Sequence, residues 1–149
     1  MGEKMEKLIS SAKSLDEPSQ KAVEEFSQKR GSLATELKNR MNEREDLEEL
    51  IGPGNTSMME DNSKNMVDFF NSIFKNYEPK VFVDTVHWVF KTYRSHGFQP
   101  EFWSANLNTL LKIMEEDLSK ETFNELRPFV NWIIDHIPKF VEMTDEYQR

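Results

Sequence analysis

Three histidines, His87, His96 and His136, are the side chains best suited to hold a metal or a haem iron in a chain without cysteine. Their spacing does not favour that chemistry. No H-x-x-x-H, H-E-x-x-H or E-x-x-H pattern brings two ligands onto neighbouring turns of one helix. Asp61 and Asp68 share a helical face in "DNSKNMVDFF", but no second ligand motif accompanies them. The histidines therefore read as partly exposed residues at helix ends, and no metal site is expected. A cofactor protein using His87 or His136 as the axial ligand of a haem is the alternative. The absence of cysteine also removes disulfides, thiolate nucleophiles, Cys-ligated zinc, iron–sulfur clusters and thioether-linked haem. Glu115, Glu116, Asp117 and Glu121 form an acidic run of the kind that usually lies on a solvated helix end. "GPGN" lacks the Lys and the Ser or Thr of a phosphate-binding loop and follows no strand. With no nucleophile, base or acid pair assembled, the expectation is a non-enzymatic protein without catalytic residues.

The residues that remain are aromatic. "WVFKTYRSHGFQPEFW", Trp88 to Trp103, places six rings around one helix junction. Large rigid rings fill a core, but they also leave gaps that a planar ligand can occupy. The expected ligand-binding set is His87, Phe90, Tyr93, Arg94, Phe98, Trp103, Arg127 and Trp132. The two arginines would meet an acidic ligand group or, more simply, neighbouring carboxylates. The ligand would be a small apolar or planar molecule, or a protein partner.

These residues have to be positioned by one domain, because 149 residues are enough for a single respectable core and too few for two. A formal net charge of −8 repels phosphate backbones and anionic lipid, so neither nucleic acid nor membrane is an expected partner. The N-terminal "MGEKMEKLISSAKSL" lacks the apolar run of a signal peptide, and no segment approaches the ~18 apolar residues of a span, which reads as a cytoplasmic protein.

The elements follow from periodicity and punctuation. Residues 1–52 read as a charged helical arm: Val23, Phe26, Leu33, Leu37 and Met41 make one thin apolar stripe, interrupted by Gly31, among Glu, Lys, Arg and Gln. Such a stripe needs an outside surface, so Phe26, Leu33 and Leu37, with the outward-facing Trp88, are the expected interface of a homodimer. "LIGPGNTS" reads as a loop, with a capping box between Ser57 and Glu60 opening the next helix. Residues 53–149 then form the bundle. One helix carries Met59 to Tyr77, and a second starts at Pro79 and ends at Gly97 as a left-handed cap. A third starts at Pro100. A fourth opens at Ser119, is kinked or divided at Pro128 and stops at Pro138. No alternating pattern suggests a strand.

The segment Phe82 to Pro138, with Val89 to Gly97, Gln99-Pro100 and Arg127-Pro128-Phe129 as its landmarks, resembles the helical modules that precede cobalamin-binding domains in bacterial regulators. In helix order it is also similar to non-haem globin-like sensor domains. The resemblance implies an all-α, globin-like or orthogonal helical bundle with an N-terminal helical arm, acting as a sensory or regulatory module. It implies nothing about binding cobalamin, because the Asp-x-His-x-x-Gly motif that ligates cobalt is absent.

Overall fold

The computed structural model describes residues 2–148, with side chains to 145. Among them the chain is all helical: α1 (Gly2–Ala12), α2 (Gln20–Asn42), α3 (Leu47–Ile51), α4 (Thr56–Lys75), α5 (Pro79–Ser95), α6 (Pro100–Asp117) and α7 (Lys120–Gln148). α2 lies along α4 and also meets α6 and α7, while α7 packs on α5 and α6, and α1 closes over α5.

The expected arm is instead a central helix. Phe26, Leu33 and Leu37 are 0% exposed, so they are not available as an interface. Their stripe is thin, but it is covered from several sides: the Phe26 ring meets Phe74 of α4 edge-on at 5.0 Å, and α6 and α7 close over the helix elsewhere. The charged residues that gave the segment its arm-like composition occupy its outer faces. Arg40, for instance, bridges Glu36 on its own helix (2.8 Å) and Glu116 on α6 (2.6 Å). One apolar core runs from Leu8 to Met143, so the boundary expected at residue 52 falls inside it. Gly31 does not break α2, and a methyl group added there would touch nothing within 4 Å.

Helix ends follow the punctuation in part. Pro79 and Pro100 open α5 and α6, and Gly97 (φ 105°) takes the left-handed turn between them. Asn55, not Ser57, caps α4, and the capping box does not form. The Asn55 amide is used elsewhere, donating to the carbonyls of Ile51 (2.7 Å) and His96 (2.8 Å), while Gln99 N–H donates to the Leu50 carbonyl (2.7 Å). These bonds tie the α3–α4 turn to the α5–α6 corner. There Gly52 (φ 86°) lies so close to the Gly97 carbonyl that a side chain would sit 3.4 Å from it.

α7 passes through both Pro128 and Pro138 without dividing or stopping. Each proline forfeits one backbone hydrogen bond, but buried Phe129, Val130, Trp132, Ile133, Phe140 and Met143 flank them and hold the helix against the core. Packing outweighs the local loss.

The starts of α2 and α7 are capped twice over. Ser19 Oγ accepts from Ala22 N–H and Ser119 Oγ accepts from Thr122 N–H, the ordinary N-cap arrangement. In addition, Glu125 of α7 accepts from the N–H (2.7 Å) and hydroxyl (2.9 Å) of Ser19. Glu25 of α2 does the same for Ser119 (2.6 and 2.8 Å) and also accepts from the Thr122 hydroxyl. Each helix thus supplies a carboxylate to the positive end of the other.

Candidate ligand site

The rings at the α5–α6 corner fill their own space. Phe90 stacks on Trp103 with centroids 4.6 Å apart and planes 9° from parallel. Tyr93 meets Phe98 (5.0 Å) and Trp103 (5.7 Å) edge-on, and Phe102 meets both Phe98 and Trp103 at 5.0 Å. The gap left beside Phe90, Arg94, Phe98 and Trp103 is about 10 Å³. That is barely one water. The ligand cavity expected at this corner is therefore closed, because rings in edge-to-face and stacked contact satisfy one another.

The other expected ligand residues are dispersed. Arg94 bridges Asp145 (2.6 Å) and donates to Thr144 (3.3 Å), the bland partner role for an arginine near carboxylates. Arg127 is exposed and lies over the Phe123 ring at 5.6 Å, away from the corner. Trp132 is buried and docks α1. Its Nε1 donates to Ser11 Oγ (3.1 Å), and its ring stacks on His136 at 4.1 Å. His136 Nδ1 donates to the Trp132 carbonyl (2.6 Å), which leaves Nε2 to accept from the Ser11 hydroxyl (3.4 Å). Both nitrogens of His136 are thereby engaged within the protein. His87 is half-buried, and burial, with Lys91 adding to it against the opposing pull of Asp84, holds its imidazole below the usual histidine range. His96 is exposed. Among the described residues no three His, Asp or Glu side chains converge on a point that would hold a metal ion.

Open space lies one helix over. A recess of about 130 Å³ separates α4 from α5, with Asn62, Asn65 and Met66 on one wall, Val86, Val89, Phe90 and Tyr93 on the other, and Ile133 of α7 beneath. Phe69 and Trp88 stand at the same opening, and Phe69 is itself stacked on Phe82 (6.0 Å, 4°). Two of the expected ligand residues, Phe90 and Tyr93, are thus brought to one site, and Phe98, Trp103 and Trp132 support it from behind or lie apart. Trp88 is outward as expected, 60% exposed, and with Val81 forms the exposed apolar side of α5.

The recess holds an unmatched buried amide, as the core does at Asn71 and Asn106. Asn62 is 2% exposed, yet its Nδ2 has no hydrogen-bond partner. Burying an amide donor unmatched costs roughly 1–3 kcal/mol, so the residue needs an explanation. The Tyr93 hydroxyl is pushed above the usual tyrosine range, first by burial; the hydrogen bond with Asn65 works the other way, and the charge of Asp61 adds to the rise. Asn62 was missed in the sequence, although a signal exists: it sits between Met59 and Met66 on the buried stripe of α4, where a polar residue is out of place.

A wider groove between α2 and α4, about 600 Å³, is lined by Arg30, Lys38, Glu60, Asp61, Lys64 and Asp68. Its charges are of both signs and already neighbour one another, as in the Lys64–Asp68 pair at 3.8 Å, which leaves no focused field for a ligand. Among the described residues no helix is long and apolar enough to cross a membrane. In comparisons with protein-family models, with curated proteins and with solved structures, nothing matches this chain.

Proposed function

We propose that the chain is a non-enzymatic sensory or regulatory module, a globin-like helical bundle whose α4–α5 recess takes up a small apolar or planar molecule. The observation that carries this reading is the recess itself: an apolar space of about 130 Å³ beside a buried amide with an unmet hydrogen bond. Cavities of about 150 Å³ lined by aliphatic and aromatic side chains bind a benzene-sized molecule. The recess also has a route to the rest of the fold. Phe90 and Tyr93 belong both to its wall and to the ring stack at the α5–α6 corner, so an occupant that presses on them bears on that corner. A ligand shifts such a packing equilibrium only by its differential affinity for the two arrangements.

The test is titration with ethylbenzene, followed by NMR of the methionine methyl groups. Met66 lines the recess, whereas Met41 and Met143 lie in the core away from it. Saturable shifts at Met66, with Met41 and Met143 little changed, are expected. No shift at Met66 up to the solubility of the probe refutes the reading.

A further inference from the structure

We infer that the α4–α5 recess selects a neutral ring compound bearing a carbonyl acceptor, with Asn62 as the residue that recognises the carbonyl. This rests on the reading of the recess as a ligand site and adds the chemical class. The apolar volume sets the size. At about 130 Å³ the space suits one six-membered ring, well below the roughly 300–1,000 Å³ of sites for larger ligands. The walls set the shape. Phe69, Phe90 and Tyr93 offer ring faces and edges, and Met66 a deformable thioether, which together favour a flat aromatic group.

Asn62 sets the polar group. Its amide nitrogen is buried and unpartnered, and the residue forms part of the recess wall, the side from which a partner would reach it. The missing partner is an acceptor, such as the oxygen of a ketone, aldehyde, ester or amide. A site holding an unpaired buried donor rejects an analogue that lacks the acceptor more strongly than apolar contacts alone can, since the donor is then left unsatisfied.

Charge excludes the carboxylate form of the same ligand. No Lys, Arg or His side chain lines the recess among the described residues, so an anion there would be desolvated without a counter-charge. The charge of Asp61 bears on the Tyr93 hydroxyl and has the wrong sign.

Three probes of matched ring size separate these points: ethylbenzene, acetophenone and benzoate, each titrated against the full chain and against Asn62→Leu with the Met66 methyl as reporter. Acetophenone should bind the native chain about tenfold more tightly than ethylbenzene, the scale of one hydrogen bond to a buried amide, and benzoate should bind more weakly than either. Asn62→Leu should keep ethylbenzene binding and lose the preference for acetophenone. Equal affinities for ethylbenzene and acetophenone in the native chain, or benzoate as the tightest probe, would overturn the inference while leaving the recess a ligand site. Failure of all three probes to bind would take the recess reading down with it. Should Asn62→Leu not fold, Asn62→Ala, which removes the donor without adding bulk or charge, is read against the same prediction.

Discussion

Glu25 on α2 and Ser119 at the head of α7 are joined by two hydrogen bonds, from the Ser119 backbone N–H at 2.6 Å and from its hydroxyl at 2.8 Å. Glu125 and Ser19 repeat the arrangement in the opposite sense. Two helix starts far apart in the chain are therefore held by each other's carboxylates, where a negative charge is favoured by the exposed N–H groups of the first turn.

The clasp gives stability a defined acid dependence. Burial pushes the Glu25 carboxyl up, but the Ser119 N–H, the Thr122 and Ser119 hydroxyls and Lys29 together hold it below its ordinary 4.5. A carboxyl depressed in the fold contributes fully above its unfolded value, and the contribution is lost as pH falls through the lower folded value. Glu25→Gln should cost about 1–2 kcal/mol at neutral pH. The gap to the native chain should narrow as the medium is acidified below about pH 4. Urea unfolding at a series of pH values checks this, and a gap that does not change with pH would show that the charge is not what matters.

Gly31→Ala should stabilise the protein by roughly 0.5–1 kcal/mol. The position is helical, its φ is not in the left-handed region, and the added methyl meets nothing within 4 Å. A shifted denaturation midpoint at unchanged slope is the expected signature.

Tyr77, in the turn between α4 and α5, fixes α1, its hydroxyl donating to the Ala12 carbonyl at 2.5 Å. Burial pushes its ionisation up to about 12. Because the fold prefers the neutral phenol, this contribution is complete below the ordinary value of 10.0 and fades as pH rises from there through about 12. Tyr77→Phe should remove the latest component of an ultraviolet phenolate titration. It should also cost about 1–2 kcal/mol and speed amide exchange in residues 2–12 of α1 ahead of the rest.

Two tryptophans on the same helix pair should behave oppositely. Trp103 is 2% exposed and stacked on Phe90, so Trp103→Ala should cost about 3–5 kcal/mol. Trp88 is 60% exposed, and Trp88→Ala should change stability by less than about 1 kcal/mol. Thermal unfolding of the two variants separates them, and equal losses would contradict the packing described.

The parts of this fold that could be read from residues were those marked by strong local chemistry. Pro79, Gly97 and Pro100 announce the α4–α5–α6 corners because their backbone preferences leave few choices. The buried stripes of α4, α5 and α6 were equally plain. α1 and α3 went unseen because one is short and mostly polar and the other is a single turn at a glycine-rich bend. The central place of α2 was hidden by composition: a helix covered by several neighbours needs only one narrow stripe, and its exposed faces dominate the count. The prolines of α7 misled for the opposite reason, since a local penalty of a few kcal/mol is overridden by long-range burial. Ring density picks out Phe90 and Tyr93, which line the recess, but that same density closes the corner where the ligand was expected. Asn62 needed a different question, which polar residue interrupts an apolar stripe.

The clasp and the central position of α2 bear on the order in which the molecule can be made. The apolar face of α2 is synthesised early, yet α7, which covers part of it and supplies Glu125 to its first turn, is made after α1 to α6. Until then the strip that α7 covers stays bare, which leaves the nascent polypeptide open to clumping and proteolysis there.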